Sequence, residues 1–207
     1  MVDYETEEQQ VEALKEWWKQ NGLAVIGGAV LGISALVGWR GWSWYQEKQA
    51  TEASDIFAVV QEAANKNDAS VLQEKAKILR DNYSSTPYAS LAVLHQAKNQ
   101  IEQGENAVAE ESLRWVLINS KQDAVQSITR IRLARLLLSE NKVDEAQAII
   151  SNGMSDAYKS LADEIRGDVF VAKGEIEQAK KAYDQAMLSA SGGGVEYLQL
   201  KRNDLGS

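Results

Sequence analysis

Between Gln20 and Trp39, twenty consecutive residues include no Asp, Glu, Lys, Arg or His. At about 1.5 Å per residue a helix of that length covers roughly 30 Å, the thickness of a bilayer's hydrocarbon core. Five of the six tryptophans stand beside this run: Trp17, Trp18, Trp39, Trp42 and Trp44. Trp18 and Trp39 are about 31 Å apart along a helix axis, and indole favours the headgroup level, where the ring is buried and the N–H stays wet. A cleaved signal peptide needs a basic leader. Residues 1–20 instead hold Asp3, Glu5, Glu7, Glu8, Glu12 and Glu16 against Lys15 and Lys19, and no clear small-x-small site follows the apolar run. Residues 21–45 therefore read as an uncleaved single-span membrane anchor with aromatic belts, in preference to a signal peptide or a buried core helix.

Within the span Ala24, Gly28 and Gly32 recur at i, i+4 and i+8. They form a smooth stripe that another helix backbone can approach, and they are the candidate transmembrane contact. Residues 1–20 are an acidic lead-in. Over 6–18, Val11, Leu14 and Trp18 share one helical face and Glu8, Glu12 and Glu16 form another. An acidic amphipathic helix does not seek anionic lipid; this one reads as a solvated lead-in, with a docking face for a basic partner as the alternative. Lys15 and Lys19 precede the span, and Arg40 and Lys48 follow it. The positive-inside count leaves both orientations open.

The remainder has the composition of a water-exposed domain. Overall the chain is 44% hydrophobic and 25% charged, with a net charge of −8. That sign repels phosphate backbones and argues against a nucleic-acid partner. There is no cysteine and a single proline, Pro87. Strand-like alternation is absent, so residues 46–207 read as all-α.

A period accompanies the helices. Ala109, Ala146 and Ala179 each follow a small residue by twelve positions, namely Ala97, Ala134 and Gly167. The turns "EQGEN", "SENKV" and "AKGEI" lie between the members of each pair, and Ala76 sits 33 positions before Ala109. Helix–turn–helix units of about 34 residues, with small residues where two helices cross, are the mark of a tetratricopeptide-like α-solenoid. The best unit places Gly167, Phe170, Gly174, Ala179, Tyr183 and Ala186 in order on the tetratricopeptide pattern; Leu137 and Gln100 stand at the Phe170 position of the two earlier units. Residues 46–65 make the first helix, which can run on from the anchor. "SGGG" at Ser191–Gly194 breaks the array, and "VEYLQLKRNDL" adds a C-terminal capping helix.

No catalytic constellation emerges. His95 is the only histidine, so neither a histidine metal cage nor a His-relayed triad suggests itself. The carboxylates are scattered at helical spacing, as on a solvated surface. "SGGG" lacks the Lys-Ser/Thr of a phosphate loop. In "TRIRLAR", Arg130 and Arg135 are read as lying on a different face from Arg132, with acids of neighbouring helices as their partners. The chain reads as a non-enzyme without a cofactor or small-molecule substrate.

The segments "EEQQVEALKEWWKQNG", "VLGISALVGWRGW", "RIRLARLLLSENKVDEA", "LADEIRGDVFVAKGEIEQAKKAY" and "LQLKRNDL" together resemble the YfgM family of bacterial inner-membrane proteins over the whole length. The resemblance implies a single N-terminal anchor with a cytoplasmic N-terminus and a periplasmic repeat domain over 46–207. It also implies an ancillary role at the SecYEG translocon, association with the membrane-anchored chaperone PpiD, and help to newly translocated, still unfolded periplasmic or outer-membrane proteins. A solenoid of this kind offers a groove lined by the first helix of each repeat. By repeat position Val93, Gln96, Gln100, Arg130, Asp163 and Arg166 are the expected groove residues. The alternative is a cytoplasm-facing, membrane-tethered regulatory scaffold with the same repeat fold and an inverted anchor.

Overall fold

The computed structural model describes residues 7–151, 153–190 and 194–206. All elements among them are helical: α1 (Glu7–Lys66), α2 (Ala69–Asn82), α3 (Pro87–Glu102), α4 (Asn106–Asn119), α5 (Asp123–Ser139), α6 (Val143–Ile150), a 3₁₀ turn at Asp156–Tyr158, α7 (Lys159–Ala172), α8 (Ile176–Ser189) and α9 (Gly194–Asn203). The chain divides into two units, Met1–Gln49 and Ala50–Ser207, and α1 contributes to both.

In the first unit the apolar side chains face outward all round the helix. Leu23, Leu31 and Leu36 are exposed, and so are all five flanking tryptophans. The apolar window of this helix has a mean hydropathy of 1.9, and among the described residues it is the one helix long and apolar enough to cross a membrane. Only 6% of that window is buried, whereas the core helix of a water-soluble domain hides its apolar stripe. The core-helix reading is thereby excluded. Asn21 donates its side-chain amide to the Trp17 carbonyl at 3.0 Å, which satisfies a polar group at the start of the run. Gly28 and Gly32 have nothing within 4 Å of where a Cβ would stand.

The second unit is a stack of four helical hairpins: the end of α1 with α2, α3 with α4, α5 with α6, and α7 with α8. Each closes through the same turn. Asn67, Gly104, Asn141 and Gly174 adopt positive φ of 55°, 79°, 61° and 76°, the left-handed conformation that ends a helix and that Gly and Asn tolerate best. After each, the next amide reaches back to a carbonyl five residues earlier. These bonds are Asp68 N to Ala63 O (2.9 Å), Glu105 N to Gln100 O (2.8 Å), Lys142 N to Leu137 O (2.9 Å) and Glu175 N to Phe170 O (2.9 Å). The turns recur at 37, 37 and 33 residues, the observed period of the array.

Turn geometry also sets the register of the first hairpin. Counted from Asn67, the equivalent of Ala109 is Leu72. Ala76 is therefore in phase with Leu113, Ile150 and Tyr183, not with Ala109 as the 33-residue spacing suggested. Val60 and Ala76 share one buried cluster, whereas in the last hairpin the small residue is Gly167 and the large one Tyr183. The crossing volume is conserved by exchanging which helix supplies it.

A cluster from Val93 to Val169 runs through the second, third and last hairpins, with Leu113, Ile131, Leu133, Leu137, Ile150 and Ile165 fully buried. The helix α5 lies at its centre and is buried on several faces at once: Val125, Ile131, Leu133, Ala134, Leu136 and Leu137. The last hairpin closes on α9 through Leu198 against Tyr183 and Ala186. The array break expected at Ser191–Gly194 lies outside the described residues except for Gly194, which opens α9.

Candidate functional site

The first helices of successive hairpins pack on one another, α3 on α5 and α5 on α7. They form the crowded inner wall of the stack, and this wall carries a cleft of about 610 Å³. Its floor is apolar: Ala97 and Ile101 on α3, Leu113 on α4 and Leu136 on α5. Lys98, Glu102, Arg132 and Arg135 stand around it. Ile101 is 38% exposed, an apolar side chain left open at the cleft edge.

The polar groups of this wall differ in how well they are matched. Lys98 pairs with Glu102 at 3.6 Å, one helical turn away. Arg135 reaches Glu164 on α7 at 3.3 Å. Arg132 donates to the Leu94 carbonyl at 3.4 Å, and burial lowers its pKa, with Tyr158 acting the other way. The His95 ring lies tilted against Phe57, with centroids 5.9 Å apart; burial first, then Arg132 and Lys98, hold its pKa below the ordinary histidine value. Arg132 and Arg135 line one cleft because three positions on a helix return nearly to the same face. This corrects the expectation that set Arg132 apart from Arg135. Only Arg130 points elsewhere, donating to the Gly153 carbonyl at 3.0 Å.

The residues expected to line the groove lie on a different face of the first helices. Val93 has no exposed surface and belongs to the main core; a residue so placed packs helices and cannot meet a partner. Gln96, Gln100 and Asp163 are also buried. Gln100 accepts from Ser112 Oγ of α4 at 2.9 Å, while Asp163 pairs with Arg166 one turn on. Gln96 and Gln100 do border an open space, a polar cleft of about 590 Å³ facing α2 and α4 and edged by Lys77, Arg80 and Trp115. Positions 93, 96 and 100, and likewise 163 and 166, lie one to four residues from the inner-wall positions Ala97, Lys98 and Ile101 and their equivalents. The repeat period identifies the helix, but not the rotation of its polar residues.

Outside the clefts the helices are tied by ladders of charge. Glu110 on α4 receives Arg114 at 2.7 Å and Lys142 from the next hairpin at 2.8 Å. Lys142 first, then Arg114, hold its carboxyl below the ordinary range. Arg114 also meets Glu145 at 2.8 Å, and Lys173 meets Asp144 at 2.7 Å. On α9, Lys201 bonds Glu164 at 3.0 Å and Asp168 at 2.8 Å. Burial opposes the charge of Lys201, but the two carboxylates outweigh it and its pKa rises. Tyr183 donates to the same Asp168 at 2.6 Å. These groups lock the last helix in place and expose no reacting atom.

Known proteins are similar to this chain over nearly its whole length. An "Ancillary SecYEG translocon subunit" of Haemophilus influenzae is 29% identical over 96% of this chain and 97% of its own length. The protein of that name in Escherichia coli is 27% identical over 99% of both chains. The one in Neisseria gonorrhoeae is 29% identical over 99% of this chain and 100% of its own. The model of the tetratricopeptide repeat-like domain matches residues 15–207, from the foot of the apolar helix to the C-terminus, and the chain belongs to that family.

Proposed function

We propose that this protein is a non-enzymatic, membrane-anchored interaction module of the bacterial inner membrane that works as an ancillary subunit of the SecYEG translocon. The observation that carries this reading is the extent of the likeness. It covers the apolar helix and the repeat stack together, at 96–99% of the chain, in relatives bearing that name. A shared repeat fold alone would say little about function; a shared anchor joined to a shared stack at matching length says more. The anchor concentrates the stack beside the channel, so weak contacts through an open cleft suffice. Recognition is of the peptide-in-groove kind, without turnover.

In this reading the N-terminus is cytoplasmic and the hairpin stack periplasmic. The partners are SecYEG, the chaperone PpiD, and exported chains that have not yet folded. The α3–α5 cleft is the receiving surface, because it joins an apolar floor to charged edges. The exposed glycine stripe of Ala24, Gly28 and Gly32 is the contact to a partner's transmembrane helix.

The test is affinity purification of the full chain from detergent-solubilised membranes, combined with protease access in spheroplasts. Channel subunits and PpiD should co-purify, and the stack should be digested when the outer membrane is opened. A stack protected until the inner membrane is broken would invert the anchor and favour the cytoplasm-facing scaffold.

A further inference from the structure

Arg132 sits half-buried at the edge of the α3–α5 cleft. A guanidinium has five N–H donors, yet among the described residues its one hydrogen bond is the 3.4 Å contact to the Leu94 carbonyl, and no carboxylate acts on it. The neighbouring cations are matched: Lys98 by Glu102 and Arg135 by Glu164. His95, on the α3 side, is neutral or cationic and in either state offers Arg132 no countercharge. A partly desolvated charge without an opposite charge is unfavourable. In a chain of net charge −8, with carboxylates paired to most other inner-wall cations, the unmatched position is informative. It lies beside Ile101, 38% exposed, which supplies open apolar surface in the same cleft.

We propose that the α3–α5 cleft receives a partner segment in which one carboxylate side chain is flanked by apolar side chains, the carboxylate pairing with Arg132 and the apolar groups lying on Ile101. The inference rests on the reading of this cleft as the receiving surface and adds the chemistry of what it takes. A planar guanidinium grips a carboxylate through two parallel N–H···O bonds. An apolar chain without an acid leaves Arg132 unmatched, so the cleft prefers acidic-apolar segments over uniformly apolar ones.

The experiment uses the full chain in detergent micelles and two fluorescein-labelled twelve-residue peptides of alternating leucine and serine. One carries a central glutamate and the other glutamine there; binding is read by fluorescence anisotropy. The glutamate peptide should bind about tenfold more tightly, as expected for a charge-assisted bond in a partly desolvated site. Arg132→Gln should abolish the preference, and Arg132→Lys should retain part of it. Arg132→Gln should leave the melting temperature unchanged or raise it, because the charge it removes meets no opposite charge in the fold and only the long contact to the Leu94 carbonyl is lost. Equal binding of both peptides to the native chain would overturn the carboxylate preference while leaving the cleft as a receiving surface. A preference that survives Arg132→Gln would overturn the assignment to Arg132. Binding of neither peptide would overturn the proposal together with the cleft reading.

Discussion

The crossing of α7 and α8 at Gly167 is the packing feature most open to direct test. A Cβ placed on Gly167 would lie under 3.0 Å from Cε1, Cδ1 and Cζ of Tyr183. The ring cannot simply swing aside. Tyr183 is 2% exposed, and its hydroxyl is held by Asp168 at 2.6 Å, which Lys201 also binds. Gly167→Ala therefore forces either overpacking, which costs about 1–3 kcal/mol, or loss of a hydrogen bond to a charged acceptor, worth about 1.5–3 kcal/mol. The gain in helix propensity on replacing glycine by alanine offsets about 1 kcal/mol. So close an approach puts the cost at the upper end of these ranges, and the net destabilisation is about 1–2 kcal/mol, a fall in Tm of roughly 2–8 °C for a chain of this size. The assay is thermal unfolding of the full chain in detergent, followed by far-ultraviolet circular dichroism. Tyr183→Leu and the double variant complete a cycle. The double variant should be more stable than the sum of the single changes by at least about 1 kcal/mol, because the clash disappears with the ring. A Gly167→Ala melt equal to or above that of the native chain would show that α7 and α8 do not cross as tightly as described.

Three further outcomes follow from the same packing. Deleting residues 195–207 removes Leu198 from Tyr183 and Ala186 and strips Lys201 from Glu164 and Asp168; the truncated chain should melt lower or self-associate, and an unchanged monomeric melt would refute the capping role of α9. Glu110 has its folded pKa lowered below the ordinary 4.5 by Lys142 and Arg114, so its contribution to stability is present above that value and is lost as pH falls through the folded one; Glu110→Gln should be less stable at pH 7 and show a shallower acid decline, and parallel pH–stability curves would contradict this. Gly28→Leu combined with Gly32→Leu fills a helix face that is open in this chain; channel subunits should co-purify less while the helix still inserts, and undiminished recovery would dismiss the glycine stripe as a contact.

The anchor was legible in the sequence because a membrane imposes one-dimensional rules: a length without charge and aromatic residues at its edges. The hairpins were legible because each turn requires a residue that accepts positive φ, and Gly104 and Gly174 announce it. The turn at Asn67 was harder to see, because the pair of small residues that frames the later turns is replaced there by Val60 and Leu72, and this also displaced the register of Ala76. The groove was the least legible part. On α5 apolar residues surround the helix, so no face stands out as inward or outward. On α3 the polar Gln100 sits inside because Ser112, twelve positions away in the facing helix, satisfies it. A single sequence does not reveal that Gln100 has found such a partner, or that Asp163 has found Arg166, and these two were placed with Gln96 on an open wall. For Arg132 the sequence suggested an acid of a neighbouring helix as partner; its distinction is the lack of one nearby in space, a property of three helices taken together.

The central claim is that the stack works beside the translocon and receives other chains through its inner wall. Site-specific photo-crosslinking in intact cells tests it most directly, with the probe placed at Ile33 in the span, at Lys98 on the cleft edge, and at Ile118, which is 82% exposed on α4 away from the cleft. The account predicts adducts with a SecY-type channel subunit from Ile33 and with PpiD or exported chains from Lys98, both stronger than any from Ile118. Adducts with cytoplasmic proteins alone, or equal labelling from Lys98 and Ile118, would contradict it.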